Sequence, residues 1–345
     1  MTSLQQLGVT IPIVQAPMAG VSTPDMAAAV SNAGALGSIA VGATDVAGAR
    51  AMIEATRART DRAFNVNLFV HKAPRPDAER EGRWIEALRP LFSGYGTEPP
   101  SALRTIYTSF ADDEAMLEML LATAPPVVSF HFGVPSTDRI AALKSVGCLL
   151  LATATSLAEA QQAAAAGIDM IVAQGWEAGG HRGVFDPAAR DDQLGTVALT
   201  RLLVRNGDLP VIAAGGLMDR AGIRAVLALG AVAAQLGTAF IACPESAADA
   251  AYRAALASDA ALHTVMTRAI SGRPARCLAN RFTHWGADTE CEPPDYPIAY
   301  DAGKALNAAA KAAGEAGFGA HWAGQGARLH QALPAGQLIE LLWRD

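Results

Sequence analysis

Eight short runs of apolar residues recur within the first 243 positions of this 345-residue chain, and stretches with helical periodicity separate most of them. Near-continuous apolar runs are typical of parallel strands that helices cover on both faces. The pattern predicts a (β/α)8 TIM barrel, an α/β fold whose active site lies on the loops that follow the strands. The predicted strands are 12–18, 35–41, 64–70, 127–132, 149–155, 170–174, 211–216 and 233–241.

A weak internal repeat supports this fold. The same order of features occurs at 163–175 and again at 226–237. Each stretch has a predicted helix, a glycine, a predicted strand, and then an amide residue followed by a glycine. A doubly wound open sheet is the alternative, although no G-x-G-x-x-G follows the first strand, which argues against a nicotinamide-binding Rossmann domain. Helices are predicted at 24–32, from a cap at 44 or 45 to about 60, and at 137–145, 157–166, 197–206 and 219–229.

Two regions do not fit the repeat. Residues 71–112 interrupt the third unit and contain one helical stretch, at 76–91. Residues 244–345 are predicted to be mostly helical, with an irregular segment at 268–297. We therefore divide the chain into a cofactor-binding barrel at 1–243, whose insertion at 71–112 contributes to a cap, and a C-terminal cap or substrate region at 244–345. The alternative is that the C-terminal part is a separate module. Its predicted helices are 245–258, 300–313 and 334–343.

Composition and charge exclude several classes of protein. A net charge of −6 and the lack of a basic cluster argue against a nucleic-acid partner. The four cysteines show neither metal-ligand nor disulfide-framework spacing, so we expect reduced thiols and no metal site. The N-terminus lacks the pattern of a signal peptide. The uncharged stretch 225–243 is better explained by a buried helix, a turn and a strand than by a membrane span. These features predict a cytoplasmic protein.

The stretch 174–183 is the strongest candidate for a functional site. It follows a predicted strand and contains four glycines together with an amide, a carboxylate, an imidazole and a guanidinium. Glycine allows the backbone to adopt positive φ and to approach a ligand closely. In a barrel, a polar loop at a strand end is where catalysis takes place. The alternative is an ordinary strand-to-helix loop. The function-capable side chains of this stretch are Gln174, Glu177, His181 and Arg182.

Other strand ends supply groups that suit a flat, phosphorylated heterocycle. Glycine pairs after the last two strands are suited to binding phosphate through backbone N–H groups, and amides suit the edge of a heterocycle. FMN is the candidate that fits this set, although any one glycine pair could simply form a tight turn. The strand-end residues concerned are Pro17, Met18, Ala19, Asn67, His131, Gln174, Gly215, Gly216, Gly237 and Thr238.

Four motifs resemble those of the nitronate monooxygenases, formerly called 2-nitropropane dioxygenases. The motifs are 15–18 (QAPM), 129–133 (SFHFG), 174–183 (QGWEAGGHRG) and 235–240 (QLGTAF), and the resemblance extends from about residue 10 to the C-terminus. The residues that resemble the Tyr/Tyr/Lys pattern of the class I branch, together with two further tyrosines that match, are Tyr296, Tyr300, Lys304, Tyr107 and Tyr252.

This resemblance implies a TIM barrel with FMN that oxidises alkyl nitronates by O2. Propionate 3-nitronate, a toxic metabolite, is the implied substrate, and the products are the carbonyl compound with nitrite and nitrate. The implied mechanism is one-electron transfer through an anionic flavosemiquinone. His181 is the implied catalytic residue. The predicted cofactor contacts are Pro17, Met18, Ala19, Asn67, Gln174, Gly179, Gly180, Gly215, Gly216, Gln235, Leu236, Gly237 and Thr238. The predicted substrate contacts are His131, Tyr107, Tyr252, Tyr296, Tyr300 and Lys304.

Two other functions remain open at this stage. The related NADH:quinone reductases and enoyl reductases share the barrel and FMN, and a flavin-binding protein without turnover is also possible. A histidine with a near-neutral pKa would suit removal of the α-proton of a neutral nitroalkane. A substrate supplied as the nitronate needs no base, so we expect His181 to matter more for neutral nitroalkanes. The sequence does not indicate an oligomeric state.

Overall fold

The computed structural model describes residues 2–344. Most of its strands are short and fully buried, as the apolar runs predict. In chain order the strands are β1 Ile13–Gln15, β2 Gly37–Ala40, β3 Phe64–Phe69, β4 Val127–His131, β5 Leu149–Ala154, β6 Met170–Gln174, β7 Gly180–His181, β8 Val211–Ala214, β9 Ala233–Leu236, β10 Thr264–Thr267 and β11 Ala275–Leu278.

Eight of these strands form a nearly closed parallel barrel. Their hydrogen-bonded order is β1-β9-β8-β6-β5-β4-β3-β2. The two end strands meet through a parallel bridge between Val14 and Leu36, which closes the ring. The (β/α)8 TIM barrel is therefore confirmed, and the open-sheet alternative is wrong.

Helices surround the barrel, and many of them begin at a side-chain cap. Thr23, Asp45, Ser156 and Asp219 each accept a hydrogen bond from a first-turn N–H, as their residue types predict. The helices are α1 Ser3–Leu7, α2 Pro24–Asn32, α3 Val46–Arg57, α4 Ala78–Ser93, α5 Glu114–Thr123, α6 Thr137–Ser145, α7 Leu157–Ala166, α8 Thr196–Asn206, α9 Arg220–Ala228, α10 Thr238–Ile241, α11 Ala250–Ala257, α12 Arg281–Asp288, α13 Ile298–Ala312 and α14 Ala335–Trp343.

The structure corrects two of the predicted elements and adds a sheet and a helix that were not predicted. The strand predicted at 233–241 ends at Leu236, and the chain continues as the short helix α10 because Gly237 breaks the strand. The segment 268–297 is not irregular throughout, since it contains β11 and α12. A three-stranded antiparallel sheet, β10-β11-β7, joins the glycine-rich stretch to the C-terminal region. The helix α5 was not among the predicted helices.

Apolar residues fill the barrel and separate it from its helices. One cluster is formed by side chains of the barrel strands and includes Val14, Leu151, Val172 and Ile212. A second cluster packs α2 and α9 against the outside of the barrel and includes Leu338 and other residues of α14. The last helix therefore covers the barrel wall rather than its mouth.

The insertion and the C-terminal region share a further hydrophobic cluster. Trp84 and Phe92 of α4 pack with Ile270, Phe282 and Leu306, which belong to segments after the barrel. Segments far apart in the sequence thus form one layer, and the division of the chain at residue 243 stays a prediction. Among residues 2–344, no helix is long and apolar enough to cross a lipid bilayer.

We expect Gly37→Ala to destabilise the fold by about 3 kcal/mol or more, because overpacking at a rigid contact is costly. A Cβ atom at Gly37 would lie 1.9 Å from the backbone carbonyl oxygen of Ala27 in α2. The control is Gly82→Ala in α4, where nothing lies within 4 Å of the added atom. This change should stabilise the helix by roughly 0.5–1 kcal/mol. Thermal unfolding midpoints measure both, and equal midpoints for the two variants would contradict the close approach.

Candidate active site

A cavity of about 410 Å3 lies at the carboxyl ends of the barrel strands. Its size falls within the range of about 300–1,000 Å3 that is usual for small-molecule sites. All but one of the predicted site residues line this cavity. These residues are Pro17, Met18, Ala19, Asn67, Tyr107, His131, Gln174, Gly179, Gly180, His181, Gly215, Gly216, Gln235, Gly237, Thr238, Tyr252, Tyr296, Tyr300 and Lys304.

Leu236 is the predicted residue that does not line the cavity. Its side chain is 1% exposed and packs with the cluster that includes Phe240 and Ile13. Successive side chains of a strand point to opposite faces, so Gln235 reaches the cavity while Leu236 points away from it. A cofactor contact through the Leu236 side chain is therefore not supported.

Glycines allow the backbone to turn at the cavity wall. Gly215 and Gly216 follow β8 with φ values of +124° and +67°, which few other residues adopt. At Gly179, a Cβ atom would lie 2.5 Å from the backbone of Ala323. The glycine-rich stretch therefore contacts the C-terminal segment backbone to backbone.

Three of the four polar side chains in the stretch 174–183 hold the loop in place. Gln174 accepts a hydrogen bond from the Gly183 N–H at 2.7 Å and donates one to the His181 carbonyl at 3.0 Å. Glu177 accepts hydrogen bonds from the N–H and hydroxyl of Thr196, and so caps α8. Arg182 is buried. It forms an ion pair with Asp191 at 2.7 Å, and a contact between Gln174 and the cofactor stays a prediction.

His181 is the side chain of this stretch that points into the cavity. Residues 180–181 form β7 and pair with 275–276 of β11, which fixes the direction of the ring. The Nε2 atom of His181 lies 2.8 Å from the Ser271 hydroxyl oxygen. The rings of Trp322 and Tyr296 surround it, with centroids at 5.1 and 5.3 Å. His181 is therefore held between protein contacts on several sides.

Burial, the neighbouring imidazole of His131, the positive charge of Arg273 and the imidazole of His71 together lower the pKa of His181 to about 3. The imidazole is therefore neutral at pH 7. This finding corrects the near-neutral pKa expected from the sequence. The ring can still accept a proton, but it is a weak base.

His131 lies beside His181, and its two nitrogen atoms already have partners. Nδ1 is 3.0 Å from the Thr153 hydroxyl, and Nε2 is 3.1 Å from the His181 carbonyl oxygen. Burial lowers the pKa of His131 to about 4. These contacts favour a role in holding the backbone of His181, and a contact between His131 and substrate stays a prediction.

Three tyrosines and one lysine from segments outside the barrel strands line one side of the cavity. They are Tyr107, Tyr296, Tyr300 and Lys304. Tyr296 precedes α13, as its position before Pro297 predicts, and its hydroxyl is buried without a hydrogen-bond partner among residues 2–344. The Lys304 ammonium lies 4.9 Å from the ring centre of Tyr107 and 5.3 Å from that of Tyr300. The group therefore offers hydrogen-bond donors and a positive charge to a ligand.

Tyr252 has a different environment from the other tyrosines. Its hydroxyl donates a hydrogen bond to the Trp322 carbonyl, and its ring stacks on His321 at 4.8 Å. Burial raises the pKa of Tyr252 well above its usual value. Because the hydroxyl is already engaged, Tyr252 positions the Trp322 segment of the cavity wall, and its contact with substrate stays a prediction.

An ion pair fixes the loop that carries Tyr107. The Arg104 guanidinium binds both carboxylate oxygens of Asp301 in α13, at 2.9 and 3.2 Å. The backbone N–H of Arg104 donates to the same carboxylate. The insertion and the helix that carries Tyr300 are thus joined beside the cavity.

Sequence reasoning missed four residues around His181. Three of them lie outside the motifs, and Phe132 lies within the motif at 129–133 without a role that the sequence indicates, so only the folded chain brings them to His181. They are Phe132, Ser271, Arg273 and Trp322.

The fold and the site define a (β/α)8-barrel enzyme with an enclosed small-molecule site at its strand ends. The nitronate monooxygenase family model matches residues 2–345. The chain therefore belongs to the nitronate monooxygenases, a family of flavin-dependent oxidoreductases.

Similar proteins agree with this assignment. The chain is 61% identical to a nitronate monooxygenase of Paraburkholderia phytofirmans, over 99% of this chain and 94% of that one. It is 54% identical to one of Pseudomonas aeruginosa, over 97% and 96%. The structure of a nitroalkane oxidase from Streptomyces ansochromogenes superposes with a TM-score of 0.89 at 42% identity, covering 99% of this chain and 96% of that chain. FabK from Thermotoga maritima superposes with a TM-score of 0.74 at 29% identity, covering 98% and 93%.

Proposed function

We propose that this enzyme uses FMN to oxidise alkyl nitronates with O2, giving the carbonyl compound with nitrite and nitrate. Propionate 3-nitronate is the proposed substrate, and removal of this toxic compound is the proposed role. The observation that carries the proposal is the ammonium of Lys304, which lies among phenols and forms no ion pair with residues 2–344, in the same cavity as a neutral His181. Such a site attracts anions.

Several features of the cavity fit FMN. The Asn67 amide nitrogen donates to Ser129, and its oxygen accepts no hydrogen bond from residues 2–344. The side chain of Gln235 lines the cavity and makes no hydrogen bond within the same range. These amides suit the edge of the flavin ring, and the turn at Gly215 and Gly216 suits its phosphate. When bound, the flavin would supply the electron acceptor for the nitronate and the electron donor for O2.

The phenols and Lys304 fit a substrate with two negative charges. Propionate 3-nitronate carries a carboxylate at one end and a nitronate at the other. Lys304 is exposed at the rim and forms no ion pair with residues 2–344, so its charge is available to the carboxylate. The buried hydroxyl of Tyr296 and the ring of His181 lie deeper, where the nitronate would bind.

The neutral state of His181 fits a substrate that arrives already ionised. A base with a pKa of about 3 removes a proton from carbon inefficiently. A nitronate has lost that proton before it binds, so His181, held in place by Ser271, then orients the anion. A neutral nitroalkane would depend on His181 as the base.

The first test is an absorbance spectrum of the purified protein under argon. We expect flavin bands, a released cofactor with the mass of FMN, and a spectral change on addition of propionate 3-nitronate. A flavin that ignores the nitronate and is bleached by NADH would instead support a reductase, the alternative that the likeness to FabK keeps open. Protein that neither contains nor takes up a flavin would overturn the cofactor assignment.

We expect His181→Asn to lower kcat/KM for neutral nitroalkanes by about 100-fold, as loss of a general base does. The loss on preformed nitronates should be less than about tenfold, because no proton is removed from carbon. In the wild type, kcat/KM for neutral nitroalkanes should not fall between pH 8 and pH 5, because the pKa of His181 is about 3. Equal losses on both substrates would contradict this division.

We expect Lys304→Met to raise KM for propionate 3-nitronate by about tenfold, since one charge-assisted contact is lost. KM for a nitronate without a carboxylate should stay within about twofold. Lys311→Met is the matched control, because Lys311 lies on the same helix and binds Asp249 instead. A similar rise in KM for both nitronates would show that Lys304 does not bind the carboxylate.

A further inference from the structure

Arg273 is a buried guanidinium without a charged partner. Its residue is 3% exposed, and it forms no ion pair with any of residues 2–344. One terminal nitrogen donates to the Val184 carbonyl, and Nε has no hydrogen-bond partner in the same part of the chain. An unpaired buried charge is costly. The hydrogen bond to Val184 and a cation–π contact with Phe132 offset only part of that cost, which points to a function of the charge itself.

Phe132 places this charge behind the active site. The Arg273 guanidinium carbon lies 4.2 Å from the centre of the Phe132 ring. The same ring contacts His131 at 4.5 Å, Tyr296 at 5.3 Å and His181 at 5.5 Å. Phe132 has a φ of +78°, an unfavourable conformation for a bulky residue. A buried apolar ring thus lies between a fixed positive charge and the rings that line the cavity.

The acidic groups nearest to Arg273 have other partners. Glu159 accepts hydrogen bonds from Thr155 and Phe185. Asp186 lies at the surface and pairs with Lys72 at 3.1 Å. The positive field of Arg273 is therefore only partly compensated on the side away from the cavity.

We propose that Arg273 is an electrostatic positioning residue, whose buried charge behind Phe132 adds to burial in disfavouring protonated imidazoles around the cavity and favours anionic over neutral substrates. Arg273 is among the charges that lower the pKa values of His181, His131 and His71. The other titratable or charged groups that face these rings are Tyr296, Tyr300, Tyr107, Arg182 and Lys304.

The preference for anions rests on the proposed function, whereas the effect on the histidines does not. A neutral His181 carries no charge of its own and takes up no proton when an anion binds. The attraction of the anion therefore comes from Arg273. The field of Arg273 then attracts the anion through the low-polarity ring of Phe132, where screening by water is weak.

The test is a pH titration of the histidines by NMR in the holoprotein labelled with 13C-histidine. We expect His71, His131 and His181 to titrate well below pH 6.5 in the wild type. In Arg273→Met their titration midpoints should rise by about one pH unit, the size of one charge at this range. Arg273→Lys should keep the low midpoints, because it keeps the charge while losing the planar stacking.

Arg276→Met is the matched control. Arg276 is also 3% exposed, and its guanidinium binds the Trp176 carbonyl instead of facing the histidines. It should leave the three midpoints unchanged. Should Arg273→Met not fold, Arg273→Gln replaces it. Midpoints near 6.5 in the wild type, or midpoints that do not move in either neutral variant, would overturn the proposal.

A kinetic measurement tests the substrate preference separately. At pH 7.5, the ratio of kcat/KM for a nitronate to kcat/KM for the matching neutral nitroalkane should fall about tenfold in Arg273→Met, and it should recover in Arg273→Lys. An unchanged ratio would overturn the selectivity part. If the enzyme turns over neither compound, the proposed function fails, while the histidine titration still decides the electrostatic role of Arg273.

Discussion

The active site depends on a short antiparallel pairing between the two residues of β7 and two residues of β11. Gly180 and His181 leave the barrel after β6 and join Arg276 and Ala275 of β11 in an antiparallel ladder. This short pairing fixes the direction of the His181 ring. It also ties the loop at the strand end to the segment that carries Ser271 and, through it, to the layer formed with the insertion. Without it, the barrel would have a mouth but no enclosed cavity.

The barrel and most of the cavity lining could be predicted from the sequence because both follow from local patterns. Apolar runs bounded by glycines identify the strands, and residues after parallel strands meet at one end of a barrel. Gly216, Asn67 and Gln235 could therefore be placed together without any knowledge of long-range contacts. Leu236 was grouped with Gln235 because both belong to one motif, whereas the strand directs their side chains to opposite faces; a contact between Leu236 and the cofactor stays a prediction.

The pKa shifts and charge environment of the site could not be predicted, because they arise from side chains that are far apart in the sequence and meet only in the folded chain. A near-neutral pKa was the natural expectation for His181, yet burial and the charge of Arg273 lower it strongly. Glu177 and Arg182 looked equally suited to catalysis. Their partners, Thr196 and Asp191, follow the loop closely in sequence, but only the fold shows that the two side chains bind these partners.

The positive φ of Phe132 has a consequence for the order in which the enzyme is inactivated and unfolds. A bulky residue with positive φ stores strain of about 1–3 kcal/mol, which persists only while the surroundings hold it. The barrel supplies that restraint through His131, which ends β4 and accepts a hydrogen bond from the Val70 N–H. If the barrel wall weakened, the strain at Phe132 would relax first. The active centre would then relax while the strands are still paired, so this enzyme should become inactive before it unfolds.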